Sequence, residues 1–346
     1  MMDTTISLPL KDQWIALHKE QPRVRIRDGA KQLGSTEAGV LAAFAGSLVI
    51  RLDGTRLREL WQRMPELGFV MVLTRNESCV HERKGIFEAV TMHGPKMGVV
   101  VGADIDLRML FHCWAFGFAV FEDAEAGFKQ SFQIFDQQGT AIVKVFLTDQ
   151  SNQDAYTNIV REFESAIQST ELIPLPAPAP HQYADATVDA TAFRQAWSEL
   201  KDTHDFFPML KQFNVSRLHA LRIAGDFARK VSNDVVKQLL EHAAATDLEI
   251  MVFVSNQGNI QIHTGPVKKI VEIPNWINVM DPLFNLHLRL DHIDSVWMVK
   301  KPTEDGPVHS VEVFDASGEL IVQFFGKRKP GYPELPAWSA FAAGLQ

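Results

Sequence analysis

Two side chains carry the most chemistry that can be read from this chain, His204 and Arg108. Phe193, Trp197, Leu200, His204, Phe207 and either Met209 or Leu210 recur at steps of three and four, the spacing of one helix face. An imidazole on such a face is either a core histidine bonded to a carbonyl or carboxylate, or a ligand. Pro208, four residues on, cannot donate to the His204 carbonyl, and its ring crowds that group. A bend or helix end is expected there, tilting His204 away from simple interior packing. Arg108 sits beside Leu107 and Met109 in an apolar run leading to Trp114. It is either a snorkelling surface residue or a guanidinium facing a cleft. Among the other histidines, His18, His93, His181, His219, His242 and His309 lie in polar or loop-like contexts and read as ordinary surface or core residues.

The elements that position these groups are written twice. Ser131-Phe132-Gln133-Ile134-Phe135-Asp136-Gln137-Gln138-Gly139 returns as Ser310-Val311-Glu312-Val313-Phe314-Asp315-Ala316-Ser317-Gly318, about 180 residues later, near half the chain. Trp14 and Leu17 return as Trp197 and Leu200, and Met71 to Asn76 as Met251 to Asn256. Each half opens with helical patterns and closes with runs of β-branched and aromatic residues punctuated by Asn and Gly. Helices followed by strands predict an α+β tandem repeat, each half an antiparallel β-sheet with packed α-helices, rather than a doubly wound parallel sheet. The alternating prolines after Glu171 favour extended geometry. The expected divisions are an N-terminal repeat over 1–170, a Pro-rich linker over 171–189, and a C-terminal repeat over 190–346 that carries His204.

Composition excludes several classes. At 346 residues the chain suits two ordinary domains. A net charge of −8 argues against extended nucleic-acid contact, which depends on Lys and Arg neutralising phosphates. Cys79 and Cys113 are the only cysteines, so a disulfide framework is not expected and a cytoplasmic location is. Met1 to Trp14 has no signal-peptide pattern, and the apolar run Gly39 to Ile50 is too short to span a bilayer. No hydrolase triad, P-loop, dinucleotide fingerprint or HExxH motif occurs. Arg27 to Ala38 resembles a helix-turn-helix, which keeps a DNA-binding regulator as a remote alternative.

Because the copies must share a fold, their differences point to chemistry. The stretch around Gln21 and Pro22, which matches the His204 region, has no histidine, and Arg108 aligns with His287. An aromatic-rich site with imidazole from one half and guanidinium from the other suits a large, flat, anionic, metal-bearing ligand, and haem meets that description. The imidazole would ligate iron, and the guanidinium would donate to a distal ligand or a propionate.

At these residues the chain resembles the cytoplasmic haemin-degrading and haem-trafficking factors of bacterial haem uptake. The likeness runs through Arg27-Asp28, Lys31 to Gly34, Asp106-Leu107-Arg108, Ile260 to Pro266, Phe284-Asn285-Leu286-His287 and Phe325 to Gly331. The resemblance implies haem as ligand or substrate, His204 as the axial iron ligand and Arg108 as the distal, catalytic arginine. Met109-Leu110 follows Arg108 where relatives often carry Leu-Phe, which makes Phe253 the expected aromatic neighbour. Lys327 and Arg328 match a basic segment suited to propionates. The expected activity is oxidative haem degradation that releases iron, with an external electron donor and dioxygen, since no flavin or nicotinamide motif is present. The alternative is a non-catalytic carrier that takes haem from an ABC importer to a separate haem oxygenase. Neither nucleic-acid binding nor membrane insertion is expected.

Overall fold

The computed structural model describes residues 8–179, 181–329 and 331–345; Met1–Ser7, Pro180 of the linker, Pro330 of the closing basic motif and Gln346 lie outside the described residues. The first half of the chain runs α1 (Leu10–Glu20), α2 (Ile26–Gln32), α3 (Glu37–Ala42), β1 (Val49–Leu52), α4 (Leu57–Gln62), β2 (Gly68–Arg75), β3 (Cys79–Ile86), β4 (Val90–His93), β5 (Met97–Val101), β6 (Asp106–Leu110), β7 (Phe116–Val120), β8 (Ser131–Phe135), β9 (Ala141–Ser151) and α5 (Gln153–Phe163). The second runs α6 (Ala190–Ser198), α7 (Phe206–Phe213), α8 (Arg217–Ile223), β10 (Ala228–Val231), α9 (Val235–Thr246), β11 (Ile250–Ser255), β12 (Asn259–Gly265), β13 (Ile270–Ile273), β14 (Trp276–Met280), β15 (Phe284–Arg289), β16 (Ser295–Lys301), β17 (Val308–Phe314), β18 (Leu320–Gly326) and α10 (Pro336–Gly344). The class is α+β. The same order of helices and strands recurs, with α9 answering α4 and α10 answering α5.

The chain forms two compact units. Unit one comprises the chain up to Arg75, Glu82–Pro178 and Asn256–Ile260; unit two comprises Asn76–His81, Ala179–Ser255 and the chain from Gln261. Unit one holds five antiparallel strands in the order β1-β7-β8-β9-β2 and an antiparallel meander β4-β5-β6. Helices α1 to α3 cover one face of the five strands, through Trp14, Leu41 and Phe44 against Phe118 and Phe135. Helices α4 and α5 cover the other, through Trp61, Ile159 and Phe163 against Val72, Phe132 and Val143.

Unit two repeats this plan with β10-β16-β17-β18-β11 and β13-β14-β15. Helices α6 to α8 cover one face through Phe193, Trp197 and Leu221 against Trp297, Val299 and Phe314. Helices α9 and α10 cover the other through Leu239, Leu240 and Trp338 against Val252, Val311 and Phe324.

The repeated Phe-Asp-x-x-Gly motif is a hairpin turn with a mechanism. Asp136 Oδ1 accepts the N–H groups of Gln138 and Thr140, each at 2.8 Å, and Asp315 Oδ1 accepts those of Ser317 and Glu319 at 2.9 and 3.0 Å. Gly139 and Gly318 take φ of 75° and 85°, where a Cβ is strained. The Arg-Asn and Ser-Asn ends of β2 and β11 also match. Asn76 Oδ1 accepts from Ser78 and Cys79, Asn256 Oδ1 from Gly258 and Asn259, all between 2.9 and 3.0 Å.

Three sequence expectations change. First, Phe193 to Leu210 is not one helix face: α6 stops at Ser198, and His204 stands on a 3-10 turn, Thr203–Asp205, before α7. Asp202 competes for the backbone there, accepting the His204 N–H at 2.7 Å. Second, Pro208 ends no helix; it lies in the first turn of α7, where a missing N–H costs nothing. Third, the helix-turn-helix pattern does form two helices around Gly34, but every residue of α3 is buried. That helix offers no exposed face to a DNA groove. Among the described residues, no helix is long and apolar enough to cross a membrane.

Each unit ties its helical cap to its sheet with a buried ion pair, and the polarity is reversed between copies. In unit one, Glu37 on α3 meets Lys144 on β9, both 7 % exposed. In unit two the cation is on the helix: Arg217 of α8 donates to Glu312 of β17 through Nε and Nη2, each at 2.8 Å. Lys301 Nζ donates to the same carboxylate at 2.9 Å, and Gln323 and Ser310 complete its shell at 3.0 and 3.2 Å. Burial alone would raise the Glu312 carboxyl, but Arg217 and Lys301 outweigh it and hold it well below the usual carboxylate range. Burial pushes the Lys301 ammonium down, and Arg217 adds to that push.

Replacing Glu312 with Gln leaves the buried Lys301 and the partly buried Arg217 without their counter-charge, which costs roughly 3–5 kcal/mol. The wild-type acid is depressed on folding, so its contribution is complete above the ordinary Glu pKa of about 4.3 and is lost as pH falls through and below it. Urea unfolding at about pH 7 and about pH 4 checks both points, the second by a flatter acid dependence in Glu312→Gln.

Candidate functional site

The His204 turn is built by two aspartates that cap it reciprocally. Asp202 Oδ1 accepts the backbone N–H of His204, and Asp205 Oδ2 accepts that of Asp202 at 3.0 Å. The same Asp202 Oδ1 lies 2.5 Å from His204 Nδ1. Its carboxyl sits below the usual range, first because of the His204 backbone N–H and then because of the imidazole. The imidazole is 87 % exposed, so it is no core histidine. Nε2 has no protein partner among the described residues.

Behind the turn, Phe206 opens α7 and anchors it. Its ring meets Trp197 edge-on at 4.8 Å. Two cations face the same ring, Lys301 Nζ at 4.5 Å and the Arg217 guanidinium at 5.2 Å. Lys301 Nζ also lies 5.9 Å from the Phe325 ring, which meets Phe253 at 5.0 Å. A continuous set of contacts therefore runs from the His204 turn to Phe253. Phe253 and Phe325 are half-buried on the outer face of their strands, and Phe207, beside the turn, is 59 % exposed. An unengaged imidazole nitrogen beside an exposed Phe207 is chemically suited to an iron-bearing ligand.

The two basic candidates are differently placed. Lys327 Nζ pairs with Glu249 at 2.8 Å, both side chains about two-fifths exposed. Arg328 is 14 % exposed, and its guanidinium lies 3.6 Å from Asp305. Its charge also acts on Asp202.

Arg108 belongs to unit one, on β6. Leu107 and Met109 point into the core, while the alternation of the strand sends Arg108 to the other face, where it is half-buried. Nη1 meets the carboxylate of Asp106 and the carbonyls of Leu107 at 3.1 Å and Val100 at 3.4 Å. Burial raises the Asp106 carboxyl, with Arg108 opposing. Nε and Nη2 have no protein partner among the described residues, so the guanidinium keeps donors for a ligand. The sequence alignment of Arg108 with His287 holds in register: Arg108 faces Val99 across β5, and His287 faces Asn278 across β14. His287 Nδ1 lies 2.8 Å from Asn278 Oδ1. His263, from the Ile260 to Pro266 motif, is buried and stacks on Phe284 at 3.8 Å, a packing role.

The chain's spacing gave no sign of the Lys301, Glu312 and Arg217 cluster behind the turn. Glu312 and Ser310 alternate with buried valines, which reads as a solvent face, and only the cap of α6 to α8 makes it an interior one.

Comparison with known proteins bears on the whole chain rather than on single residues. A family model described as the haemin-degrading HemS.ChuX domain matches the chain twice, at residues 34–163 and 214–345. Hemin transport protein HemS of Yersinia enterocolitica is 34% identical over 335 residues, covering 96% of each chain. The crystal structure of holo-PhuS, a heme-binding protein from Pseudomonas aeruginosa, superposes with a TM-score of 0.95 at 43% identity, covering 98% of this chain and 99% of that one. ChuS, described as an E. coli heme oxygenase, gives 0.86 at 33% identity over 98% and 99% of the two chains.

Proposed function

The chain belongs to the haemin-degrading HemS/ChuX family, and on that premise we propose that it binds haem through His204 and opens the macrocycle oxidatively to release iron. One observation carries the reading: an exposed imidazole whose Nδ1 is engaged by Asp202 and whose Nε2 is left open. An imidazole ligates through a nitrogen lone pair, so the other nitrogen must hold the proton, and Asp202 receives it. Phe253, with Phe325, would give the macrocycle an aromatic surface. Arg108 would serve as the distal donor, a fixed positive charge suited to developing negative charge. Lys327 would pair with a propionate by exchanging its exposed partner Glu249, with Arg328 as a second, more enclosed cation near the same strand end. Haem supplies the redox chemistry when bound, with dioxygen and an external electron donor as co-reactants.

A second reading, a carrier that passes haem from an importer to a separate oxygenase, is favoured by the exposure of the His204 turn. A ligand held by a single solvent-facing side chain can be transferred without opening a core.

Titration with haemin, followed at the Soret band, tests the ligand. His204→Ala is expected to shift the band and weaken binding by more than about tenfold; an unchanged band and affinity would remove His204 from the site. Arg108→Ala is expected to leave haem affinity within about threefold while weakening fluoride or azide binding to the ferric complex roughly 10- to 100-fold, the worth of a hydrogen bond to a charged group. Supplying reductant with and without catalase separates the two readings. Ring opening that survives catalase is the oxygenase outcome, and ring opening that stops leaves the carrier.

A further inference from the structure

We infer that Asp202 is the positioning residue for the axial ligand: its carboxylate fixes the His204 ring with Nε2 outward and strengthens that nitrogen as a donor to ferric iron. The inference rests on the reading that His204 ligates haem. A side chain 87 % exposed has no packing to hold its rotamer. Its orientation must come from polar contacts, and one oxygen makes them. Asp202 Oδ1 receives the His204 backbone N–H at 2.7 Å and lies 2.5 Å from His204 Nδ1. The Thr203 hydroxyl adds a longer contact at 3.4 Å to the same atom.

A carboxylate oxygen only accepts, so Nδ1 carries a proton, and in the neutral ring that binds a metal the lone pair is on Nε2. Fastening the backbone and the ring of one residue to a single oxygen restricts both side-chain torsions. Asp202 is itself fixed, since Asp205 Oδ2 accepts its N–H and that of Lys201, at 3.0 and 3.3 Å. The matching stretch of the first half, around Gln21 and Pro22, has neither histidine nor aspartate, so ligand and acceptor are absent together from that copy.

An anion bonded to the far nitrogen of a metal-bound imidazole raises its basicity and favours the more highly charged metal. Asp202 therefore biases the site toward ferric haem. This tuning is separable from the turn, because asparagine also accepts N–H groups but carries no charge.

Asp202→Asn is expected to keep the Soret band and to weaken ferric haem binding about tenfold more than ferrous, a rise of about 59 mV in the one-electron midpoint. The iron–histidine vibration of the ferrous complex should move to lower frequency. Asp202→Ala, which removes acceptor and charge, is expected to weaken ferric haem binding about 10- to 100-fold. A wild-type midpoint and vibration in Asp202→Asn, in protein where His204→Ala does lose haem, would overturn this inference alone. An unaltered spectrum in His204→Ala would overturn the ligand reading beneath it. Because the Asn variant retains the cap, a folding defect in Asp202→Ala leaves the midpoint test intact.

Discussion

A carboxylate buried without water must be met by cations and hydrogen-bond donors, and Glu312 meets five such donors from four other side chains. Those donors come from α8 and from strands β16, β17 and β18, so satisfying one group locks the helical cap of unit two onto its sheet. Arg217 and Lys301 then face the ring of Phe206, the first residue of α7. Everything about the His204 turn depends on where α7 begins. The exposed imidazole is thus carried on a short turn whose far end is fixed in a buried, charged interior. Rigidity comes from the anchor, and access comes from the turn.

The duplicated fold makes the logic visible. Unit one keeps the cap-to-sheet ion pair but reverses it, with the acid on α3 and the base on β9. Either polarity closes the layer, so the pair is a scaffold feature and not itself the chemistry. The turn between α1 and α2 has neither histidine nor aspartate at the matching positions. Conversely, β6 carries Arg108 where β15 carries His287, at the same place in the same meander. The two copies share packing and diverge in the groups available to a ligand.

Much of this was legible in the sequence because it rests on local rules. The duplication, the α+β order and the Asp-x-x-Gly turns follow from spacing, and the alignment of Arg108 with His287 follows from the repeat. What was not legible depended on tertiary burial. Glu312 alternates with valines as a solvent-facing residue would, and becomes an interior ion only under α6 to α8. The helix face drawn through Phe193, Trp197 and His204 failed because side-chain capping by Asp202 and Asp205 outcompeted helix continuation. Nor does anything in Asn76–His81 or Asn256–Ile260 reveal in which unit those hairpin tips are packed; turn residues specify their own geometry and not their neighbours.

The central claim is that a single exposed imidazole, oriented by its own turn, is the bond between protein and haem iron. The most direct measurement is ligand rescue in His204→Gly, in which the side chain is removed and free imidazole is supplied while the spectrum of the ferric complex is followed. The proposed ligation predicts an altered spectrum without imidazole and saturable return of the wild-type spectrum with it. A wild-type spectrum before any imidazole is added would contradict it.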